Sequence, residues 1–345
     1  MFFYFFVNSI IEKYKLMNNT KILHNQILIS LKNSKKVLIT THTNPDGDAI
    51  GSALALYHYL IHHGVTTQII ISDDIPRNLN FLNDSKVVES YNPHRHNHYI
   101  ISADTIVFLD LNDISRTRLL SQILEQSNAF KIVIDHHTNP KNFANILYSD
   151  TEVSSTGELI YRLLSEDENF VLSQNIAECI YVAIMTDTGS FRYQRTTSEV
   201  HRIIAQLIDA GANPYRIYDF VHNQNPLKIV RLLGIALSKM QLHFNGKVCI
   251  MTIGKDDFAS TGTNYRDTEF FVDRTLSIEG VEIGILLTEV FERGEFKISL
   301  RSKGDIQVNT LANALGGGGH INAAGATIKS LSPDTALQSV INQLK

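Results

Sequence analysis

The chain is poor in cysteine, in net charge and in long apolar runs, and each shortage excludes a class of protein. Its two cysteines, Cys179 and Cys249, lie far apart. They suit a reducing compartment, with the cytoplasm as the default expectation, and offer no thiolate metal site. The formal net charge of −4 argues against a basic surface for long duplex DNA, although a local basic groove for a short anion stays open. Any nucleic acid bound here is therefore expected to be short.

One oily stretch, MFFYFFVNSI, stands at the N-terminus, and it is too short to span a bilayer. It lacks the basic region and the small-residue cleavage pattern of a signal peptide, and the charged Glu12, Lys13 and Lys15 follow it. We interpret residues 1–16 as the product of a start site placed too far upstream, with Met17 as the true start. No other stretch is long and apolar enough for a membrane span.

Short apolar runs alternate with helical patterns through the first half of the chain. The runs KKVLITTH, TQIIIS, TIVFLDL and KIVIDHH predict buried strands, and DAIGSALALYHYLIHHG predicts a helix that ends at Gly64. This alternation predicts an α/β fold, with a mostly parallel sheet and helices on both of its faces. A length of 345 residues exceeds what one core usually organises, so we expect two domains.

The second half has a different pattern. Residues 198–240 carry only helical periodicity, which predicts a connector. MQLHFNGKVCIMTI then predicts a hairpin about Asn245 and Gly246, and a second hairpin is expected with its turn near Arg293 and Gly294. We therefore expect a first α/β domain over 19–195, a helical connector over 196–240, and a smaller α/β domain with a mixed sheet over 241–345.

Titratable side chains follow the predicted strands and one further apolar run. These residues are His42, Asp46, Asp48, Asp110, Asp135, His136, His137 and Asp187. Taken singly, each could cap a helix, occupy a turn or lie near a core. Ligands of parallel sheets sit beyond the carboxyl ends of the strands, so these side chains are expected to meet at one edge. Crowded carboxylates repel one another and need a cation, so the sequence predicts a metal site.

The donor types narrow the choice of metal. A mixture of imidazole and carboxylate favours manganese, cobalt or iron, and magnesium is less favoured because it prefers oxygen ligands. Even four of these aspartates with two of the histidines would exceed the needs of one ion. We therefore expect two divalent ions that share a bridging carboxylate, with Mn²⁺ as the leading candidate and Mg²⁺ or Co²⁺ as alternatives.

The motifs resemble those of a known family. HTNPDGDAIGS, the aspartate of LDLND, DHH and TDTGSFR occur in the order of the four motifs of the DHH phosphoesterases, and GGGGHINAAGA resembles the glycine-rich signature of their associated C-terminal domain. Together, over Asn19 to Lys345, they resemble the bifunctional nano-RNases. The resemblance implies a hydrolase that converts short oligoribonucleotides (nanoRNA such as pApA) to mononucleotides and 3′-phosphoadenosine 5′-phosphate (pAp) to AMP.

The resemblance also implies roles for the residues at the strand ends. One ion would be held by His42, Asp46 and Asp110, and the other by Asp48, Asp110, His136 and Asp187, so that Asp110 bridges them. His137 would face the substrate phosphate as a catalytic group, and Asp135 would orient its neighbours by hydrogen bonds.

The glycine run near the C-terminus predicts an anion site. Gly316 to Gly319 let backbone amides approach a phosphate, and Arg301 offers a planar donor fork for the same ligand. We expect Arg301, Gly317, Gly318, Gly319 and His320 to bind the terminal phosphate and nucleotide of the substrate. The alternative for the glycines is a flexible linker.

Three rival functions remain open. Manganese pyrophosphatases and exopolyphosphatases resemble the N-terminal motifs alone. A hydrolase of linear dinucleotides derived from cyclic di-AMP would suit the same pocket. A nucleotide-binding regulator without catalysis would be expected to lack a metal ligand, whereas every ligand position is filled here. A homodimer is a further expectation that a single chain does not test.

Overall fold

The computed structural model describes residues 19–291, 294–330 and 332–344, and the chain divides into two compact units between Gln224 and Asn225. The expectations for residues 1–16, for Met17 and for a turn at Arg293 lie outside the described residues. No helix within the described ranges is long and apolar enough to cross a membrane.

The first unit alternates strands and helices, as the apolar runs predict. Its elements in chain order are α1 (residues 19–33), β1 (Lys36–Thr41), α2 (Gly47–His62), β2 (Thr66–Ile71), β3 (Val88–Ser90), α3 (Pro93–Ser102), β4 (Thr105–Leu109), α4 (Ser121–Gln126), β5 (Phe130–Asp135), β6 (Ile146–Ser149), α5 (Thr156–Leu164), α6 (Gln174–Asp187), α7 (Ser198–Asp209) and α8 (Pro214–Tyr218). A 3₁₀ segment at Ile114–Leu120 precedes α4, and a π-helical turn at Asp219–Asn223 follows α8.

Six strands form one sheet in the order β3-β2-β1-β4-β5-β6, and every pair is parallel. Leu38, Phe108 and Val133 pack with residues of α3 and α4 on one face, while the adjacent Ile39 and Val107 are also fully buried. Continuous burial on both faces is the reason that the strand sequences are apolar without alternation. The prediction of a mostly parallel sheet with helices on both faces is confirmed.

Three glycines let the helices on one side of this sheet approach closely. A Cβ on Gly47 would lie 2.4 Å from the hydroxyl of Thr186, and one on Gly51 would lie 2.4 Å from the carbonyl oxygen of Cys179. A Cβ on Gly157 would lie 2.4 Å from Ala183. Glycine at these positions therefore brings α2 and α5 against α6. Gly47 serves this packing as the first residue of α2.

The second unit contains the remaining helices and strands. These are α9 (Leu227–Ser238), β7 (Gln241–His243), β8 (Val248–Ile253), α10 (Lys255–Thr261), β9 (Ile283–Val290), β10 (Glu295–Ser302), α11 (Val308–Ala314), β11 (Gly318–Gly319), β12 (Ala323–Lys329) and α12 (Pro333–Gln343), with 3₁₀ segments at Tyr265–Thr268 and Phe271–Ser277. The helical pattern of 198–240 is thus seen as α7, α8, the π-helical turn and α9.

The second sheet has the order β11-β12-β10-β9-β8-β7 and is mixed. β7 and β8 pair antiparallel about Asn245 and Gly246, which confirms the hairpin, and β9 and β10 also pair antiparallel. β8 and β9 pair parallel, with α10 and the 3₁₀ segments between them. Ile298, Leu300 and Ala324 face a core that includes residues of α11 and α12. The prediction of a smaller α/β region with a mixed sheet is confirmed.

Candidate active site

Three parallel strands end at the same level and so deliver their polar residues to one edge. Thr41 of β1 pairs with Leu109 of β4, and Leu109 pairs with Ile134 of β5. The next residue along each strand direction is therefore His42, Asp110 or Asp135. These three side chains, with the His136 and His137 that follow, are all buried.

Two helices complete the set. Asp46 is the N-cap of α2 and accepts hydrogen bonds from the amides of Asp48 and Ala49, and Asp48 lies in the first turn. Asp187 is the last residue of α6, so the apolar run before it is a helix. The structure brings together all eight residues that the sequence selected from this half of the chain.

His42, Asp46 and Asp110 form what we call the His42 cluster, in which one donor atom from each residue lies within 4.8 Å of the others. The Nδ1–H of His42 donates to the carbonyl of Thr43 at 2.8 Å, an assignment that leaves Nε2 as the acceptor nitrogen. This Nε2 lies 3.2 Å from Asp110 Oδ2. Two acceptors at that distance repel unless a proton or a cation lies between them, so the geometry fits a metal ion.

Asp48, His136 and Asp187 form the corresponding His136 cluster, also within 4.8 Å. The Nε2 of His136 lies 3.5 Å from Asp48 Oδ2, 3.3 Å from Asp187 Oδ2 and 3.5 Å from Asp110 Oδ1. Asp110 therefore turns one oxygen toward each cluster. A carboxylate placed in this way is suited to bridge two ions.

The pKa values in the protein without metal show how strongly these charges conflict. Burial raises the pKa of Asp48 well above its usual range, and Asp110 raises it further. Burial also raises the pKa of Asp187 to about 7. Burial lowers the pKa of His136, but Asp187, Asp110 and Asp48 outweigh it and raise the value to about 10. A divalent cation would relieve these opposing shifts by neutralising the carboxylates directly.

His137 is held differently from His136. Its Nδ1 lies 2.7 Å from Asp135 Oδ1, so an Nδ1–H donates to this fully buried carboxylate and fixes the orientation of the ring. Asp110, Asp135 and His137 also place donor atoms within 4.8 Å of one another. The nitrogen that makes this short bond also lies 3.6 Å from Asp110 Oδ1. This arrangement suits an orienting carboxylate and an imidazole that acts on another group.

The backbone of Asp110 is strained. Its φ is 60°, in the left-handed region that residues with a Cβ rarely adopt, and its amide donates to the carbonyl of Ile134. Such strain costs about 1 to 3 kcal/mol and persists only where the surroundings enforce it. The conformation carries the Asp110 carboxylate from the end of β4 into contact with both clusters.

The contacts that the first turn of α5 makes with the metal-site carboxylates were not predicted from the sequence. The amides of Thr156 and Gly157 donate to the two oxygens of Asp48 at 2.7 and 2.8 Å, and the hydroxyl of Thr156 donates to Asp110 Oδ1 at 3.0 Å. A signal was present, since Ser155-Thr156-Gly157-Glu158 has the serine and glutamate spacing of a capped helix start. Ser155 does cap α5, accepting from the amide of Glu158.

The substrate residues expected in the second unit lie close together in its sheet. Arg301 is on β10, pairs with Ala323 and donates from Nε to Asp273 Oδ1 at 3.0 Å. His320 follows β11 and forms a tight turn with Ala323.

The glycine run is ordered, as a helix end and a short strand, rather than a flexible linker. Gly318 and Gly319 pair with Gly325 and Ala324, and the amide of Gly317 donates to the carbonyl of Ala312. The N–H of Gly317 is therefore engaged, and it does not meet the expectation of a phosphate donor. A Cβ there would lie 2.0 Å from the carbonyl oxygen of Gly325, which explains the need for glycine.

Comparisons with known proteins agree with this architecture. Residues 36–184 match the DHH family, N-terminal domain, and residues 245–345 match the DHHA1 domain. The bifunctional oligoribonuclease and PAP phosphatase NrnA of Thermus thermophilus is 33% identical over 90% of this chain and 89% of its own length. The protein of the same name from Bacillus subtilis is 28% identical over 85% of this chain and 90% of its own length.

Solved structures with a similar fold agree with the sequence comparisons. An exopolyphosphatase-related protein from Bacteroides fragilis has 33% identity and a TM-score of 0.86, covering 94% of this chain and 95% of its own. An exonuclease RecJ bound to manganese has 14% identity and a TM-score of 0.50, covering 94% and 92%, and so shares the fold alone. The chain therefore belongs to the DHH family, with the N-terminal domain of that family followed by a DHHA1 domain.

Proposed function

We propose that this protein is a metal-dependent phosphoesterase that hydrolyses short oligoribonucleotides such as pApA to mononucleotides and 3′-phosphoadenosine 5′-phosphate to AMP. The observation that carries the proposal is the pair of donor clusters joined at Asp110, in which the donor atoms of imidazoles and carboxylates lie within 4.8 Å of one another. The name shared by the Thermus and Bacillus relatives supports the choice of substrates.

The residues present fit two divalent ions, and Mn²⁺ is the one we expect, with Mg²⁺ or Co²⁺ as alternatives. His42, Asp46 and Asp110 would hold one ion, and Asp48, Asp110, His136 and Asp187 the other. When bound, such a pair lowers the pKa of water and stabilises negative charge at phosphorus. A RecJ structure of the same fold is described as bound to manganese.

The chain's own groups then do the rest of the chemistry. When its ring is protonated, His137 would stabilise charge on the phosphate or give the Nε2 proton to the leaving oxygen, while its Nδ1–H stays bonded to Asp135. Asp135 holds the ring in one tautomer and one orientation. Both residues are buried.

The second unit is proposed to recognise the substrate. Arg301 offers a guanidinium for the terminal phosphate, with Gly318, Gly319 and His320 beside β12 as further contacts and Gly317 as a packing residue. In this proposal residues 19–195 form the phosphoesterase domain, 196–240 a helical connector and 241–345 the substrate-binding domain. We further propose a cytoplasmic location and a homodimer, both of which stand on the sequence expectations alone.

A second candidate is an enzyme acting on pyrophosphate or polyphosphate, because the Bacteroides relative is described as exopolyphosphatase-related. The match to a DHHA1 domain and the NrnA relatives favour nucleotide substrates instead. A regulator without catalysis is disfavoured because each of the six proposed ligand positions carries a donor residue that the structure brings into one of the two clusters.

One parallel assay tests the proposal. The full chain with MnCl₂ is given pApA, 3′-phosphoadenosine 5′-phosphate, pyrophosphate and a long single-stranded RNA at equal concentrations. We expect AMP from the first two, little phosphate from pyrophosphate, and slower attack on the long RNA. Asp110→Ala is the control and should abolish all turnover. Faster hydrolysis of pyrophosphate or of the long RNA would overturn the assignment.

A further inference from the structure

The first turn of α5 bonds to Asp48 of the His136 cluster and to the oxygen of the shared Asp110 that faces His136. Thr156 and Gly157 donate from their amides to Asp48, and Thr156 donates from its hydroxyl to Asp110 Oδ1. Thr156 is fully buried. The two bonds from Thr156 end on the atoms that face His136, which are Asp48 Oδ2 and Asp110 Oδ1, whereas Asp110 Oδ2, which faces His42, receives none of the three.

The bonds restrict how the two carboxylates can rotate. Asp48 accepts two backbone amides, one on each oxygen, together with the hydroxyl of Ser52 at 3.2 Å from Oδ1. Backbone donors at a helix start cannot turn away, so they hold the Asp48 carboxylate in one plane. The Thr156 hydroxyl does the same for Asp110, whose strained backbone alone does not fix its side-chain rotation.

The two clusters are therefore supported unequally. The His42 cluster relies on the α2 N-cap bonds of Asp46 and on the bond from His42 to Thr43. The His136 cluster relies on α5. Removal of a group that orients a metal ligand commonly lowers metal affinity by about 10- to 100-fold.

We propose that Thr156 is a positioning residue that sets the affinity of the His136 cluster for its ion, with a much smaller effect on the ion at the His42 cluster. This inference rests on the proposed two-ion site. Thr156 acts by holding Asp110 Oδ1 toward His136, and it takes no part in the reaction with the substrate. Loss of its hydroxyl removes the bond that holds Asp110 Oδ1 toward His136, whereas Oδ2 keeps its contact with His42, so the ion of the His136 cluster should lose more affinity.

The test is a calorimetric titration of the metal-free protein with MnCl₂, in the wild type and in matched variants. Thr156→Val keeps the shape of the side chain and removes the hydroxyl, and we expect one of two binding steps to weaken by about 10- to 100-fold while the other changes by less than about threefold. Thr156→Ser restores the donor and should bind both ions as the wild type does. Thr105→Val is the control, since Thr105 is a buried threonine at the opposite end of β4 that bonds to Ser34.

Thermal unfolding without metal separates positioning from a general packing role. If Thr156→Val and Thr105→Val lower the melting temperature alike and neither changes Mn²⁺ binding, the inference is wrong. It is also wrong if both binding steps weaken equally, or if the wild type binds a single ion. Ser52→Ala gives a second readout should Thr156→Val fail to fold, because its loss should weaken the same step.

The proposed function and the role of Thr156 can be refuted independently of each other. Two Mn²⁺ ions bound by the wild type, with one step weakened in Thr156→Val, would support the role of Thr156 even if pApA were not cleaved. Cleavage of pApA with unchanged binding in Thr156→Val would support the function and overturn the role of Thr156.

Discussion

The strained backbone of Asp110 allows a prediction that separates the free-energy cost of its left-handed conformation from the loss of its carboxylate. Asp110→Ala and Asp110→Gly both remove the carboxylate and differ only in the Cβ atom. At a φ of 60° a residue with a Cβ costs about 1 to 2 kcal/mol more than one without. Glycine normally makes a buried position less stable than alanine, because it loses more chain entropy and buries no methyl group. At Asp110 the backbone cost opposes that normal order.

Asp135 is the matched control position. It lies in β5, it is not among the described residues with positive φ, and its exposure is 0% against 2% for Asp110. The entropy and burial differences between alanine and glycine should therefore be similar at the two sites. Subtracting the alanine-versus-glycine difference in the free energy of unfolding at position 110 from that at position 135 leaves the cost of the left-handed backbone. We therefore expect alanine to stabilise position 135 over glycine by about 1 to 2 kcal/mol more than it does position 110.

Urea unfolding in EDTA, followed by far-ultraviolet circular dichroism, measures all four variants. EDTA removes any effect of metal binding on stability. Equal advantages of alanine over glycine at positions 110 and 135 would show that the backbone of Asp110 carries no special cost. Both Asp110 variants should be inactive toward pApA whatever their stability, since each lacks the shared carboxylate.

Three further predictions follow. Arg301→Met should raise the KM for pApA by about 10- to 100-fold, as expected for a lost charge-assisted bond, and the exposed Lys303→Met should not. Burial raises the pKa of Asp167, but bonds from Lys32 and Tyr59 lower it to about 2. Asp167 therefore stabilises the fold above pH 3.8, and the advantage of the wild type over Asp167→Asn in melting temperature should vanish as the pH falls toward 2. Both cysteines are buried, so they should react with a thiol reagent only after unfolding.

Much of the first unit could be predicted from the sequence because parallel strands impose a simple rule. Strands buried on both faces have continuous apolar sequences, and the carboxyl ends of parallel strands lie at one edge of the sheet. His42, Asp110 and Asp135 each follow such a run directly, and the register puts them in one row. The family motifs then supplied the division of these residues between two ions, which spacing alone did not provide.

The contribution of α5 could not be predicted in the same way. Thr156 meets Asp48 across 108 positions of sequence and Asp110 across 46, so the contact depends on how α5 docks and not on any local pattern. The capping pattern at Ser155 predicts that a helix begins there, but it does not say which side chains the helix start faces. Asp187 has the same difficulty, because an apolar run of that length suits either a strand or a buried helix.

For Gly317, the prediction of an anion-binding amide was wrong, because glycine has a second use in proteins. Four glycines allow backbone amides to approach an anion, but they equally allow two backbones to approach each other. At Gly317 the second use applies, because a Cβ would meet the carbonyl of Gly325 and the amide already serves the end of α11. Sequence alone does not separate these uses, since both need the same absent side chain.

The same ambiguity explains why Gly47, Gly51 and Gly157 matter to the metal centre without touching an ion. Asp48 and Asp187 sit on different helices, and their carboxylates can reach one imidazole only if α2 and α6 lie nearly in contact. A methyl group at Gly51 would press on the backbone of α6 at Cys179, which cannot move aside as a flexible side chain could. Overpacking of this kind costs about 1 to 3 kcal/mol or is relieved by separating the helices. Separation would pull Asp48 away from Asp187, so the spacing of the donors is set by glycines as much as by the donors themselves.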